Sequence, residues 1–258
     1  MPSFWRVINQ VIRDADVILE VLDARFVDET RNPEVERKVA EAQKPLIFVI
    51  NKCDLIPQEL AEAYKKRLRN SVFLSSTERQ GTAILRSYIL RMAPHKDHVR
   101  AGVVGYPNTG KSSVINALRG GGPAKTSSSS GFTHGRQNIR LSKKVTIIDT
   151  PGVIPYREKN DIKHAIIGTR NPEQLEAPEN AVMALMSRFP ALIESHYGIP
   201  APLDLAHADH ENTLEAIALR YGRIRKGGLP DTVTMARIIL ADWQQGKISL
   251  KDYRFSAL

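Results

Sequence analysis

The stretch "GYPNTGKSS", Gly105–Ser113, fits the spacing G-x-x-x-x-G-K-[ST] with no deviation. No other feature of this sequence limits the possible folds so strongly. Its glycines let backbone N–H groups close around a phosphate, and a helix beginning at the lysine adds the positive end of its dipole. The arrangement works only when a strand delivers the loop and a helix leaves it. The apolar "AGVV" before the loop and "VINAL" after it supply both. The chain is therefore expected to hold a strand–loop–helix unit inside a mostly parallel sheet. Lys111 is expected to neutralise the β- and γ-phosphates of a nucleotide, and the Ser112 hydroxyl to ligate Mg2+. Asn108, Thr109, Gly110 and Ser113 complete the expected phosphate-binding set.

Further motifs fall into place around this loop. "TIIDTPG" reads as a strand delivering Asp149, a carboxylate able to hold Mg2+ through water, followed by Gly152, whose N–H can meet a γ-phosphate. By itself the same string is also a strand ending in a Pro-Gly turn. "NKCD", Asn51–Asp54, follows the apolar run "LIFVI". A carboxylate at Asp54 can accept from N1–H and the 2-amino group of guanine together, a donor pair that adenine lacks. Asn51 is expected to tie this turn to the phosphate loop, and the stem of Lys52 to cover the face of the base. Alone, N-K-x-D is a surface turn; beside a phosphate loop it points to GTP and GDP. Ser75 and Ser76, ending "VFLSS", are candidates to present N–H groups to guanine O6, with an ordinary strand-end serine pair as the alternative. Thr133, after the low-complexity run Gly120–Gly131, is the candidate second Mg2+ hydroxyl, ordered by GTP; a plain linker is the alternative. Lys111, Thr133 and Gly152 form the expected catalytic set.

Elsewhere the pattern alternates. An amphipathic stretch over Phe4–Arg13 precedes a β-rich run, Asp16–Arg25. Asn32-Pro33 opens a helix to about Gln43, "PLIFVINK" is a strand, and a helix is expected over Gln58–Arg69. The strand "SVFLSS", a helix from Thr82 to Met92, the strand "HVRAGVVG" and the pair "QNIRLS" and "KVTIIDT" complete the series. This predicts an α/β domain over residues 1–156, a mostly parallel sheet with helices on both faces. From about Asp161 the pattern is helical, with breaks at "RNP", "YGIPAPLD" and "RKGGLP", so a small all-α domain over 157–258 is expected. Within it, Leu214, Ile217, Ala218 and Tyr221 form the predicted buried face of one helix; Val233, Ala236, Leu240 and Trp243 form that of the next.

Composition narrows the partners. Lys and Arg number 37 against 28 Asp and Glu, a net charge of +9. No carboxylate lies between Asp97 and Asp149, where Arg100, Lys111, Arg119, Lys125, Arg136, Arg140, Lys143 and Lys144 are all basic. A field of one sign attracts nucleotides and nucleic acid, although any single residue reads equally well as solubility charge. The basic turn "RIRKGG", Arg223–Gly228, suits phosphate contact, with a solvated loop as the alternative. No apolar run approaches the ~18 residues of a membrane span. "MPSFWRVINQ" lacks the apolar core and cleavage site of a secretory leader, and the single cysteine, Cys53, suits a reducing compartment. A cytoplasmic monomer is expected.

The motifs run base, base edge, phosphate, switch I, switch II. That is the usual GTPase order cut after switch II and rejoined, with "MAPHKDH" (Met92–His98) as the joint. Permutation of this kind is tolerated because chain termini often lie close together. The sequence here resembles the circularly permuted GTPases of the YlqF type, which assist large ribosomal subunit assembly. The resemblance rests on "DAR" with "RNP" (Asp23–Arg25, Arg31–Pro33), "NKCDL", "GYPNTGKSSVINAL", "GFTHG" and "DTPGV", and more loosely on the helical region from "ALRYGRIRKGG" onward. It implies GTP hydrolysis, Mg2+, and a K+ held in part by Asn108. It implies a ribosomal partner, the large subunit or its precursor rRNA. Members lack the usual water-orienting glutamine after D-x-x-G, and Val153 and Ile154 stand there. The N-terminal histidine of the bacterial members has no counterpart in "MPSFWRVINQ", which looks closer to the archaeal and eukaryotic branches; His134 is a weak substitute. A signalling or transport GTPase that regulates a protein partner, and an RNA-binding module that uses GTP only as a conformational ligand, are the competing readings.

Overall fold

The computed structural model describes residues 3–120, 137–150, 160–201, 204 and 208–255. It divides into two compact units, Met1–Glu158 with Phe255–Leu258, and Lys159–Arg254. In the first unit α1 (Ser3–Asp14) leads into β1 (Val17–Asp23) and a 3-10 turn at Ala24–Phe26. A single helical turn α2 (Val27–Thr30), α3 (Pro33–Glu41), β2 (Leu46–Asn51), α4 (Gln58–Arg67), β3 (Ser71–Leu74) and α5 (Thr82–Met92) follow. Then come β4 (Val99–Val104), α6 (Lys111–Arg119), β5 (Gln137–Arg140) and β6 (Val145–Asp149). The expected α/β architecture is present. The helix expected over Gln58–Arg69 stops at Arg67, because Asn70 takes a left-handed φ of 58° that turns the chain into β3.

The strands form one six-stranded sheet in the order β3-β2-β1-β4-β6-β5. All neighbours are parallel except the β5–β6 pair, in which Gln137 faces Asp149. β1 lies inside the sheet with every residue buried, which is why "VILEVLD" reads as a near-continuous apolar run. Side chains alternate between the faces. Val17, Leu19 and Val21 join Leu85, Ile89, Val114 and Leu118 of α5 and α6 in one core. Ile18 points the other way, with Val104 and Ile148, into a second core built on Trp5, Ile8, Val11, Val35 and Val39 of α1 and α3.

The buried Glu20 interrupts this pattern. Its Oε1 accepts from the Asn32 N–H at 2.8 Å, and burial pushes its carboxyl up to about 8. Through this bond the side chain acts as a local clamp that holds "RNP" against β1. The joint Met92–His98 is pinned as well: Lys96 pairs with Asp16 at 3.2 Å, and His98 reaches the Lys143 carbonyl and Thr146 Oγ1, each at 2.9 Å.

The second unit is helical: α7 (Asp161–Ile166), a 3-10 turn at Pro172–Gln174, α8 (Pro178–Arg188), α9 (Leu192–Tyr197), α10 (His210–Arg220) and α11 (Thr232–Gln245). Asn160, Asp209 and Asp231 cap α7, α10 and α11 through side-chain oxygens, and Gly246 closes α11 in the left-handed region. Trp243 is the anchor of this core. It is fully buried, donates from Nε1 to the Ile166 carbonyl at 2.9 Å and lies 5.7 Å from the Phe189 ring. Leu214, Ile217 and Ala218 are buried as expected, but Tyr221 is 49% exposed, because α10 ends at Arg220 and the chain turns away at Gly222. On α11, Val233 is only half-buried, and Met235 and Ile239 enter the core beside Ala236, Leu240 and Trp243.

Candidate functional site

Where strand order reverses in a parallel sheet, loops leave in opposite directions and open a crevice at the carboxyl ends of the strands. Here that point lies between β1 and β4. β2 and β3 extend to one side of it, and β6 and β5 to the other. The carboxyl ends there are Asp23, Asn51, Leu74, Val104 and Asp149, and each motif singled out from the sequence starts at or just after one of them.

Val104 delivers the phosphate loop and Lys111 opens α6. Gly105 is required by the close passage of β1: a Cβ at its φ of 142° would lie 2.5 Å from the Val21 carbonyl oxygen. Gly110, at φ 93°, is required by Asn51, whose Nδ2 would lie 2.2 Å from an added Cβ. Asn108 also takes a left-handed φ, 61°. Thr109 is buried and donates from Oγ1 to the Tyr106 carbonyl at 3.0 Å. Ser112 is exposed and Ser113 half-buried in the first turn of α6.

Lys111 folds back into the loop and donates from Nζ to the carbonyls of Gly105 at 3.1 Å and Tyr106 at 2.6 Å. Burial pushes its ammonium down to about 8, against the pull of Asp149. Burial likewise raises the Asp149 carboxyl above the usual range, against Lys111, and Asp149 Oδ1 is buried with no hydrogen-bond partner among the described residues. Each group lacks part of the counter-charge it needs. An anion beside Lys111 and a cation beside Asp149 would relieve both at once.

The base-reading turn meets this loop directly. Asn51, 1% exposed, donates from Nδ2 to the Thr109 carbonyl at 2.9 Å, and its Oδ1 accepts from the Ser76 N–H at 3.3 Å. One side chain thus joins the turn, the phosphate loop and the serine loop. Lys52 sits at φ 62° and leads into a 3-10 turn, Cys53–Leu55. Asp54 Oδ1 is buried with no hydrogen-bond partner among the described residues. An acceptor left so is costly unless a donor meets it, and the paired N–H groups of guanine fit.

The serine loop differs from the expectation in one respect. The Ser75 N–H donates to the Gln80 carbonyl at 3.3 Å, and the Ser76 N–H to Asn51. Both amides are committed within the protein, so a base edge would have to exchange one of these bonds. Thr133, Gly152, Val153, Ile154 and His134 lie outside the described residues. Sequence reasoning assigns no role to Asp23 and Arg25, although "DAR" is visible in it. The available signal is a charged pair at the end of a fully buried strand. Among the described residues no cluster of three His, Cys, Asp or Glu could hold a metal; of the Mg2+ candidates, Ser112 and Asp149 are among them and Thr133 is not.

This fold and motif order define a P-loop GTPase domain whose base-reading half precedes its phosphate loop. In motif order and fold the chain is similar to the circularly permuted GTPases of the YlqF type. The family model described as a 50S ribosome-binding GTPase matches residues 100–194, which take in the phosphate loop and leave Asn51–Asp54 outside. An uncharacterized GTP-binding protein of Methanocaldococcus jannaschii, MJ1464, is 38% identical over 251 residues, covering 95% of this chain and 65% of that one. Nucleolar GTP-binding protein 2 of Yarrowia lipolytica is 35% identical over 257 residues, covering 95% and 49%. The chain therefore spans less than two thirds of either relative. GNP-bound YlqF from Thermotoga maritima shares the fold, with a TM-score of 0.64 at 23% identity and 95% of each chain covered. No helix among the described residues is long and apolar enough to cross a membrane.

Proposed function

We propose that this protein hydrolyses GTP to GDP and phosphate and acts in large ribosomal subunit assembly by binding the subunit precursor through rRNA. The observation that carries the nucleotide part is the buried Oδ1 of Asp54, unpartnered among the described residues, on a turn that Asn51 ties to the phosphate loop at 2.9 Å. Asp54 selects guanine. Lys111 exchanges its two loop carbonyls for β- and γ-phosphate oxygens, and the N-terminal turn of α6 adds its dipole. Ser112 and Asp149 would hold Mg2+, which would neutralise part of the phosphate charge. Asn108 helps hold K+, and Thr133 and Gly152 meet the γ-phosphate, as in the YlqF-type GTPases the chain resembles.

Catalysis in such a site is positioning and charge stabilisation. With Val153 and Ile154 where a water-orienting side chain is expected, the isolated protein should turn over slowly, and K+ and the ribosomal partner should raise the rate. The ribosomal part is supported by the family model's description and by the nucleolar relative. It is also supported by the basic surface, including the turn Arg223–Gly228. Multiple-turnover phosphate release is the test, with and without large subunits, in K+ and in Na+. Stimulation by both K+ and subunits is expected. Equal rates in the two salts would remove the cation, and a fast rate in the isolated protein would remove the partner.

A further inference from the structure

We propose that Asp23 is the positioning residue of the base-reading turn: its carboxylate, fixed by Arg25, holds the Lys52 ammonium and thereby sets the grip on guanine. The inference rests on the GTP reading above. Asp23 and Asn51 are register partners at the ends of β1 and β2, so the "DAR" and "NKCD" turns leave the sheet side by side. The Asp23 carboxylate is fully buried. Its Oδ1 accepts from Arg25 Nε at 3.0 Å and from the Arg25 N–H at 3.1 Å, while Oδ2 accepts from the Arg25 guanidinium at 2.9 Å. Oδ2 also accepts from Lys52 Nζ at 2.7 Å. The Asp23 N–H donates in turn to Thr30 Oγ1 at 3.2 Å, and Thr30 Oγ1 to the Phe26 carbonyl at 2.7 Å. The carboxylate cannot turn away without breaking this set.

Lys52 needs such an anchor. A left-handed backbone is unfavourable for lysine and persists only where the surroundings impose it. Two residues on stands Asp54, whose buried oxygen must meet the base. Burying one carboxylate with two cations gives little net stability compared with an apolar replacement, so stability is a poor reason for the network. Geometry is a better one. Burial alone would raise the Asp23 carboxyl, but Arg25 and Lys52 outweigh it and hold the group below the usual range. Burial in turn lowers Lys52, against the pull of Asp23.

The test separates base from phosphate. GDP and inorganic tripolyphosphate are titrated against the wild type, Asp23→Asn, the milder Arg25→Lys, Lys52→Met, and the Asp23→Asn/Lys52→Met pair. Asp23→Asn should weaken GDP by about tenfold or more, since a displacement on the order of 1 Å is costly in an oriented site. Tripolyphosphate should be unchanged. Arg25→Lys, which keeps the charge but loses the two-point grip, should show a smaller loss of the same kind and serves if Asp23→Asn does not fold. In the Lys52→Met background Asp23→Asn should add nothing. Equal loss of both ligands, no loss of either, or a full loss in the Lys52→Met background would overturn the positioning role. A wild type that binds tripolyphosphate but not GDP would overturn the guanine reading itself.

Discussion

At the scale of single residues, the site holds two buried carboxylate oxygens with no hydrogen-bond partner among the described residues. Asp54 has a buried acceptor, Asp149 another, and Lys111 is a buried ammonium whose hydrogen bonds go only to neutral carbonyls. Two predictions belong here. Asp54→Asn places a donor where guanine also presents donors. It should weaken GDP by about 3 kcal/mol and favour xanthosine diphosphate, whose ring offers an acceptor. Calorimetry showing unchanged GDP affinity would remove the turn from the guanine site. The second concerns protons. Burial pushes the Lys111 ammonium down to about 8, and a bound polyphosphate must raise that value. Below pH 8 the lysine is already charged and binding needs no proton for it; above pH 8 binding must take one up, so affinity falls as pH rises. Calorimetry at pH 8.5 in buffers of different ionisation enthalpy should find net proton uptake that shrinks as pH is lowered toward 7. Lys111→Arg, which cannot lose its proton, should abolish the uptake. No uptake in the wild type would contradict the charge assignment.

At the scale of elements, the turn between α10 and α11 proves to be a built hairpin. The Asp231 N–H donates to the Arg223 carbonyl at 2.7 Å and the Arg225 N–H to the Leu229 carbonyl at 2.8 Å. Arg225 is paired with Asp231 at 3.0 Å, which leaves the exposed Arg223 and Lys226 as its outward charge beside the exposed Ile224 and Leu229. If the hairpin meets rRNA phosphates, Arg223→Gln with Lys226→Gln should weaken large-subunit binding. The salt slope of the binding constant should then fall by about 1.5 to 2, because each phosphate-bound cation removed lowers it by about one. An unchanged slope would assign this hairpin elsewhere.

The strands and helices of the first unit are legible in the sequence because their periods are clean and their loops carry glycine, proline and asparagine at the turns. The phosphate loop and "NKCD" are legible for the same reason: their chemistry is local in sequence. Less legible are features made by distant residues. Glu20 bonding Asn32, Lys52 held by Asp23, and the amides of Ser75 and Ser76 already committed are contacts across strands. Tyr221 departs from its expected burial because helical spacing continues past the residue at which α10 ends.

At the scale of the whole molecule, the permutation decides which segment the chain enters after switch II. In the usual order switch II leads into the rest of its own domain. Here the chain passes from β6, ending at Asp149, through "TPGVIPYREKN" to α7, beginning at Asp161 in the helical unit. If the γ-phosphate draws the Gly152 N–H inward, this short covalent path carries the pull toward the unit that bears the hairpin. A ligand shifts an equilibrium only through differential affinity, and the coupling is reciprocal: GTP and the proposed ribosomal partner would then favour each other by the same factor. The measurement that tests this most directly is affinity for large subunits with GDP and with a non-hydrolysable GTP analogue, in the wild type and with a flexible glycine–serine insert after Pro155. Tighter binding with the analogue, lost on insertion, is the predicted result. Equal affinity in the two nucleotide states, or a nucleotide preference that survives the insert, would contradict it.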